Sequence, residues 1–109
     1  MNFTLGLSLY RNNNLNHLSE CLNSIWFNQS LQPELIIFVY DGFVSNQIDD
    51  LIQSFIITSG CNHILLRNKT NMGLTFSLNK MLSITRTKYF ARMDVDDVCV
   101  NNRFELQIN

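Results

Sequence analysis

The run ELIIFVY, Glu34 to Tyr40, limits the fold more than any other part of the chain. It follows Pro33, is apolar without alternation, and passes directly into Asp41-Gly42. A strand with one wet face alternates apolar and polar residues. A strand without alternation is covered on both faces, as inside a parallel sheet. Parallel neighbours need long crossovers, so helices should flank this strand in the sequence. The remaining segments meet that requirement. FTLGLSLY, Phe3 to Tyr10, is β-leaning and ends in the polar run RNNN. Leu15, Leu18, Leu22, Ile25 and Trp26 then recur at helical spacing, with Asn13 or Asn14 as N-cap. Ile48, Leu51, Ile52, Phe55 and Ile56 predict a second helix that starts from Ser45 as cap and ends before Gly60.

HILLRN, His63 to Asn68, predicts a third strand, KTNMG a loop, and Leu74, Leu78, Met81 and Leu82 the apolar face of a third helix. KYFARMD is a fourth strand ending at Asp94, and NNRFELQIN reads as the start of another helix. Strands alternating with helices predict an α/β fold, a three-layer sandwich around a mainly parallel sheet. At 109 residues the chain is the length of a single domain, 1–109.

In such sheets ligands bind beyond the carboxyl ends of the strands. Those ends carry Tyr10-Arg11, Asp41-Gly42, Asn68 to Gly73, and the acidic group Asp94, Asp96 and Asp97. Charge and composition narrow the partners. A net charge of −1 without a basic patch argues against nucleic acid. No apolar run is long enough to span a membrane, and Met1 leads into a strand-like segment instead of a signal peptide, so the chain reads as cytoplasmic. Cys21, Cys61 and Cys99 are too widely spaced for a zinc knuckle and odd in number, and they read as buried thiols.

Crowded carboxylates raise one another's pKa unless positive charge lies between them. A divalent cation supplies it: magnesium and manganese take one or two carboxylates and complete their shells with water and phosphate oxygens. Two other motifs fail. A calcium loop starting at Asp94 would put Val98 and Cys99 where an oxygen ligand and a glycine belong. The phosphatase-like form DVDDV leaves only twelve residues after Asp97 for the later motifs that chemistry needs. Asp96 and Asp97 serving merely as turn caps is the competing structural explanation.

Taken together, SLYRNNNLNHLSECLNSIWFNQSLQPELIIFVYDG, NMGLTFSLNKML, YFARMDVDD and RFELQ resemble the amino-terminal part of family 2 glycosyltransferases with the GT-A fold, of the kind that build bacterial surface polysaccharides. The resemblance spans nearly the whole chain, with its segments in the family's order. It implies that Ser8, Leu9 and Tyr10 line a nucleotide pocket, largely through backbone, and that Asp41 accepts hydrogen bonds from the base, usually uracil. Asn71 and Gly73 match an N-x-G turn near the sugar nucleotide, where Gly permits close approach. Asp94 and Asp96 match the D-x-D motif, with Asp96 binding Mn²⁺ or Mg²⁺ on the diphosphate and Asp94 near the ribose, the sugar or the metal shell. By the same resemblance Arg92 would approach the diphosphate.

The implied partners are a nucleoside-diphosphate sugar, probed first as UDP-sugar, and a saccharide or lipid-linked saccharide acceptor, which allows a location at the inner face of the membrane. The family's catalytic base belongs to a later segment, so the expectation is a donor-binding part of an incomplete GT-A domain, inactive alone and prone to self-association through apolar surface. Asn101-Asn102 replaces the Pro that usually precedes RFE. A non-catalytic α/β interaction or regulatory module with a structural acidic loop is the alternative.

Overall fold

The computed structural model describes residues 3–95; Asp96, Asp97, Cys99 and the expected RFELQ helix lie outside them. Four strands and three helices alternate: β1 (Phe3–Leu9), α1 (Leu15–Ile25), β2 (Leu35–Asp41), α2 (Asn46–Ser59), β3 (His63–Asn68), α3 (Leu74–Ile84) and β4 (Tyr89–Met93). The sheet order is β3-β2-β1-β4, and the three pairings are all parallel. Each connection is therefore a helical crossover. The chain steps from β1 to β2 to β3 in one direction and then returns past β1 to lay down β4. With right-handed crossovers, that reversal puts α3 on the face opposite α1 and α2. It also makes the carboxyl end of the sheet beside β1 a topological switch point, where adjoining loops part and leave a crevice.

Side-chain alternation confirms the layering. Phe3, Leu5, Leu7 and Leu9 of β1 join Ile36, Phe38 and Tyr40 of β2 in a core closed by Leu18, Cys21, Leu22 and Ile25 of α1 and Ile48, Ile52 and Phe55 of α2. Phe55 ties this layer together, meeting Trp26, Phe27 and Phe38 edge to face at centroid distances of 6.5, 6.0 and 6.2 Å. Such edge-on pairs add about 0.5–1.5 kcal/mol each beyond the area they bury. On the other face Ile37 and Val39 pack beneath Met81 of α3, flanked by Ile64, Leu66 and Phe90. Gly6 lies under this helix: a Cβ there would come within 2.5 Å of Phe90 Cζ and 2.6 Å of Met81 Sδ. The missing side chain is what lets α3 sit close to the central strand. Both faces of β2 are thus covered, as its unbroken apolar run requires.

The expected caps are present. Asn14 is the N-cap of α1, its side chain accepting from His17 N at 3.0 Å, while Asn13 Oδ1 accepts from Tyr10 N at 2.7 Å and shapes the loop after β1. Ser45 caps α2, and Gly60 ends it in the left-handed conformation. One face differs from expectation. The buried residues of α3 are Ser77 and Met81, whereas Leu82 is 47% exposed. The helix is turned so that a hydroxyl, instead of a fourth apolar residue, meets the polar carboxyl end of the sheet. Leu15 is likewise exposed, while Cys21 is among the buried residues of α1. Cys21 and Cys61 are buried free thiols.

Candidate functional site

The alternation that fills the core with Leu9 and Tyr40 sends Ser8 and Asp41 to the α3 face. Asn68 pairs with Asp41 in register and joins them there. Three neighbouring elements therefore end in polar side chains on the same face. Asp41 is 2% exposed, and its carboxylate is held from three sides. Oδ1 accepts from Asn68 Nδ2 at 2.8 Å and from Met72 N at 2.7 Å, and Oδ2 accepts from Gly73 N at 3.0 Å. Asn68 Nδ2 also donates to Ser77 Oγ at 3.0 Å, and Lys80 Nζ donates to Asn68 Oδ1 at 3.1 Å.

Above Asp41 opens a cleft of about 400 Å³ lined by Tyr10, Arg11, Asn12, Asp41, Gly42, Phe43, Thr70 and Asn71. The loops after β1, β2 and β3 form its walls. Of the residues singled out in the sequence, Tyr10, Asp41 and Asn71 are brought together here. Gly42, with φ +82°, packs so tightly that a Cβ would lie 2.9 Å from Asn71 N. Gly73 has φ +91°, a Cβ there would meet nothing within 4 Å, and its N–H is turned to Asp41.

Ser8, Leu9, Gly73, Arg92 and Asp94 do not line this cleft. Leu9 is fully buried in the core beneath α1 and α2, so only its backbone can face a ligand. Ser8 Oγ is buried and has no hydrogen-bond partner among the described residues. Such a buried hydroxyl ordinarily finds a partner. Arg92 and Asp94 stand at the end of β4, with Nη2 and Oδ2 3.7 Å apart and both side chains about half exposed.

Among the described residues no three His, Cys, Asp or Glu side chains form a metal-binding group, and Asp96 lies outside them. The exposed Asp94 carboxylate nonetheless suits a hard cation that uses one or two carboxylates and takes its remaining ligands from phosphate and water.

Sequence reasoning placed Arg11 and Thr70 only within ligand-facing strand-end segments, and it missed Asn12 and Phe43. Each directly follows or lies near a strand end, which is the only signal that could have found them. Phe43 is the most conspicuous, 73% exposed on the rim of a polar cleft. It also borders a second cleft of about 510 Å³, with Tyr40, Asp49 and Arg67 among its lining residues. There the Tyr40 hydroxyl donates to Asp49 Oδ1 at 2.7 Å and Arg67 stacks 4.9 Å above the ring centre. Burial, then the hydrogen bond and charge of Asp49, push the Tyr40 pKa well above the ordinary tyrosine range, against an opposing pull from Arg67.

The chain is an open α/β domain with a polar cleft at the carboxyl edge of its sheet, the place where such folds bind ligands. It superposes on the structure of S. aureus TarS with a TM-score of 0.80 at 19% identity, covering 99% of this chain and 19% of that one. The mannosyltransferase PcManGT from Pyrobaculum calidifontis, solved in complex with GDP-Man and Mn²⁺, matches with a TM-score of 0.76 at 18% identity, over 95% of this chain and 30% of that one. These likenesses establish the GT-A fold. Residues 10–109 match the model of glycosyl transferase family 2, and the chain belongs to that family.

Among curated relatives, the amylovoran biosynthesis glycosyltransferase AmsE of Erwinia amylovora is 34% identical over 110 residues, covering 98% of this chain and 39% of the relative. The UDP-Gal:alpha-D-GlcNAc-diphosphoundecaprenol beta-1,3-galactosyltransferase of Escherichia coli is 31% identical over 103 residues, covering 94% of this chain and 36% of the relative. The chain thus spans somewhat over a third of the length of these curated relatives.

Proposed function

We propose that this chain is the donor-binding part of a glycosyltransferase that moves a sugar from a nucleoside-diphosphate donor, UDP-linked in the first instance, to an acceptor hydroxyl during surface polysaccharide assembly. The observation that carries this reading is the cleft where Tyr10, Asp41 and Asn71 converge at the carboxyl edge of the sheet. Its volume and polar floor suit a nucleoside, and Tyr10 and Phe43 offer aromatic faces to a base. The diphosphate would extend toward the end of β4, where Ser8 has an open hydroxyl and Arg92 a half-exposed guanidinium. An arginine there would pair with phosphate oxygens and stabilise negative charge on the leaving group.

Asp94 and Asp96 are the residues that would hold Mn²⁺ or Mg²⁺. When bound, such an ion supplies Lewis-acid stabilisation for the charge that grows on a departing diphosphate. The acceptor would be a saccharide or a lipid-linked saccharide, met at the inner face of the membrane. None of the described helices is long and apolar enough to cross a membrane. The relatives named above for amylovoran synthesis and for galactose transfer onto a lipid-linked sugar support this acceptor class. An inverting transfer also needs a base on the acceptor hydroxyl, and none of the residues named here is assigned that role.

Calorimetric titration of the chain with UDP and with GDP, with and without Mn²⁺, tests the reading beside Asp96→Asn. Manganese-dependent binding of UDP that the substitution abolishes is the expected result. A folded chain that binds neither nucleotide under any condition would refute it and favour a non-catalytic α/β module with a structural acidic loop.

A further inference from the structure

The chain leaving β4 is held from the core side. Met93 ends the strand, with Leu7 of β1 as its register partner. Past that pair the side chains keep alternating. Met93 and Val95 are 2% and 4% exposed and both join the layer beneath α1 and α2, while the Asp94 side chain between them is about half exposed beside Arg92. Burial of Val95 therefore keeps the Asp94 carboxylate on the outer side, with the Arg92 guanidinium.

The helix α1 supplies the matching surface. Among its buried residues, Cys21 and Ser24 each carry a polar hydrogen. Ser24 Oγ donates within the helix, to Cys21 O at 2.8 Å. The Cys21 thiol instead crosses to the main-chain oxygen of Asp94, 73 positions later, at 3.8 Å. Cys21 is fully buried in the same layer as Val95, so the two contacts adjoin. A sulfur donor is weak on its own; burial of Val95 carries the hold and the thiol gives it direction.

We propose that Val95 and Cys21 are positioning residues: they seat the main chain at Asp94-Val95 on α1 and so hold the Asp94 carboxylate where a divalent cation and a diphosphate would meet it. This rests on the nucleotide reading above and adds the residues that aim Asp94. The seat itself is a property of the unliganded chain. Because coupling between sites is reciprocal, a ligand that fixes Asp94 from outside must also tighten the cover over Cys21.

Alkylation of the buried thiols Cys21 and Cys61 reads the seat directly. Cys61 lies just before β3, at the opposite edge of the sheet from the cleft, and serves as internal reference. Rates with iodoacetamide at fixed pH are followed for each cysteine by peptide mass. Without ligand, Val95→Ala should speed Cys21 about tenfold relative to Cys61, whereas Ile52→Val, a cut into the same layer from α2, should leave the ratio unchanged. In the wild type, UDP with Mn²⁺ should slow Cys21 about tenfold relative to Cys61, and UDP without metal far less.

Calorimetry gives the second arm. The factor by which Mn²⁺ raises UDP affinity should fall about tenfold in Val95→Ala and a few-fold in Cys21→Ala. It should recover toward the wild-type value in Cys21→Ser, whose hydroxyl again donates, and stay unaltered in Ile52→Val. Equal protection of Cys21 and Cys61 by UDP and Mn²⁺ would overturn the proposal, because the ligand would then be stabilising the whole fold. So would an unaltered Mn²⁺ factor in Val95→Ala. A wild-type chain that binds no nucleotide refutes the nucleotide reading, and the ligand-free ratio then decides the seat. Should Val95→Ala fail to fold, the wild-type protection and Cys21→Ala decide it.

Discussion

Gly42→Ala should destabilise the chain much more than Gly60→Ala, although both glycines have positive φ, +82° and +66°. An L side chain in the left-handed region costs about 1–2 kcal/mol. A stiffer unfolded chain offsets about 0.4–1 kcal/mol of that. At Gly60 nothing lies within 4 Å of the added Cβ, so the net loss should be about 1 kcal/mol. At Gly42 the Cβ would lie 2.9 Å from Asn71 N and 3.2 Å from Thr70 C. These are backbone atoms directly before Met72 and Gly73, whose amides donate to Asp41, and no side-chain rotation relieves the contact. Overpacking of this kind adds about 1–3 kcal/mol, for a total of about 2–4 kcal/mol. With a urea slope of about 1 kcal/mol/M for a domain this small, the unfolding midpoint should drop by about 2–4 M in Gly42→Ala and about 1 M in Gly60→Ala. Equal shifts would refute the reasoning, because they would mean that the 70–73 loop yields freely.

Two further outcomes follow from other parts of the structure. The Tyr40 hydroxyl keeps its proton longer in the folded chain than in the unfolded one, whose tyrosines titrate near about 10. Between those values the unfolded state binds fewer protons, so the contribution of Tyr40 is complete below about pH 10 and declines above it. Tyr40→Phe should cost about 1 kcal/mol at pH 8, through loss of the bond to Asp49, and should flatten the alkaline decline, both read from urea midpoints at pH 8 and 10.5. Phe43→Ala removes a side chain that is 73% exposed, so stability should change by less than about 0.5 kcal/mol. If a base stacks on this ring, the same substitution should cost about 1–3 kcal/mol of nucleotide affinity, and unchanged affinity by calorimetry would place the base elsewhere in the cleft.

The elements that could be read from the sequence were those whose ends are coded locally. The α2 helix has both its signals in the chain, Ser45 before it and Gly60 after it, and both act as the sequence predicts. The β2 strand declared its two covered faces through its unbroken apolar run. The face of α3 was misjudged because periodicity counts apolar residues, whereas a serine can be buried when a partner satisfies its hydroxyl. The partner of Ser77 is Asn68, whose own partner Asp41 is 27 residues further back. Nothing local in the sequence links these three positions. Only the parallel register, which sets Asp41 beside Asn68, brings them within hydrogen-bond reach. Tyr10, Asp41 and Asn71 were identifiable as strand-end residues, but the inward turn of the Asp41 carboxylate was not.

The site and the core are separated by a single residue on each strand. Leu9 and Tyr40 point into the layer beneath α1 and α2, and their neighbours Ser8 and Asp41 point to the α3 face. A slip of β1 by one position against β2 would turn Ser8 into the apolar layer and Leu9 toward the polar end of the α3 face. Burial of Leu9 and Tyr40 therefore holds the register that aims Ser8 and Asp41. The α1/α2 face carries the larger apolar layer. The α3 face joins a small apolar patch around Met81 to a hydrogen-bonded end at Asp41, Asn68 and Ser77. That polar end gives the cleft a hydrogen-bonded wall without adding apolar surface to it. The larger apolar layer and the hydrogen-bonded polar end thus lie on opposite faces of the same four strands, and a change that strengthens the α1/α2 layer should leave the cleft geometry intact.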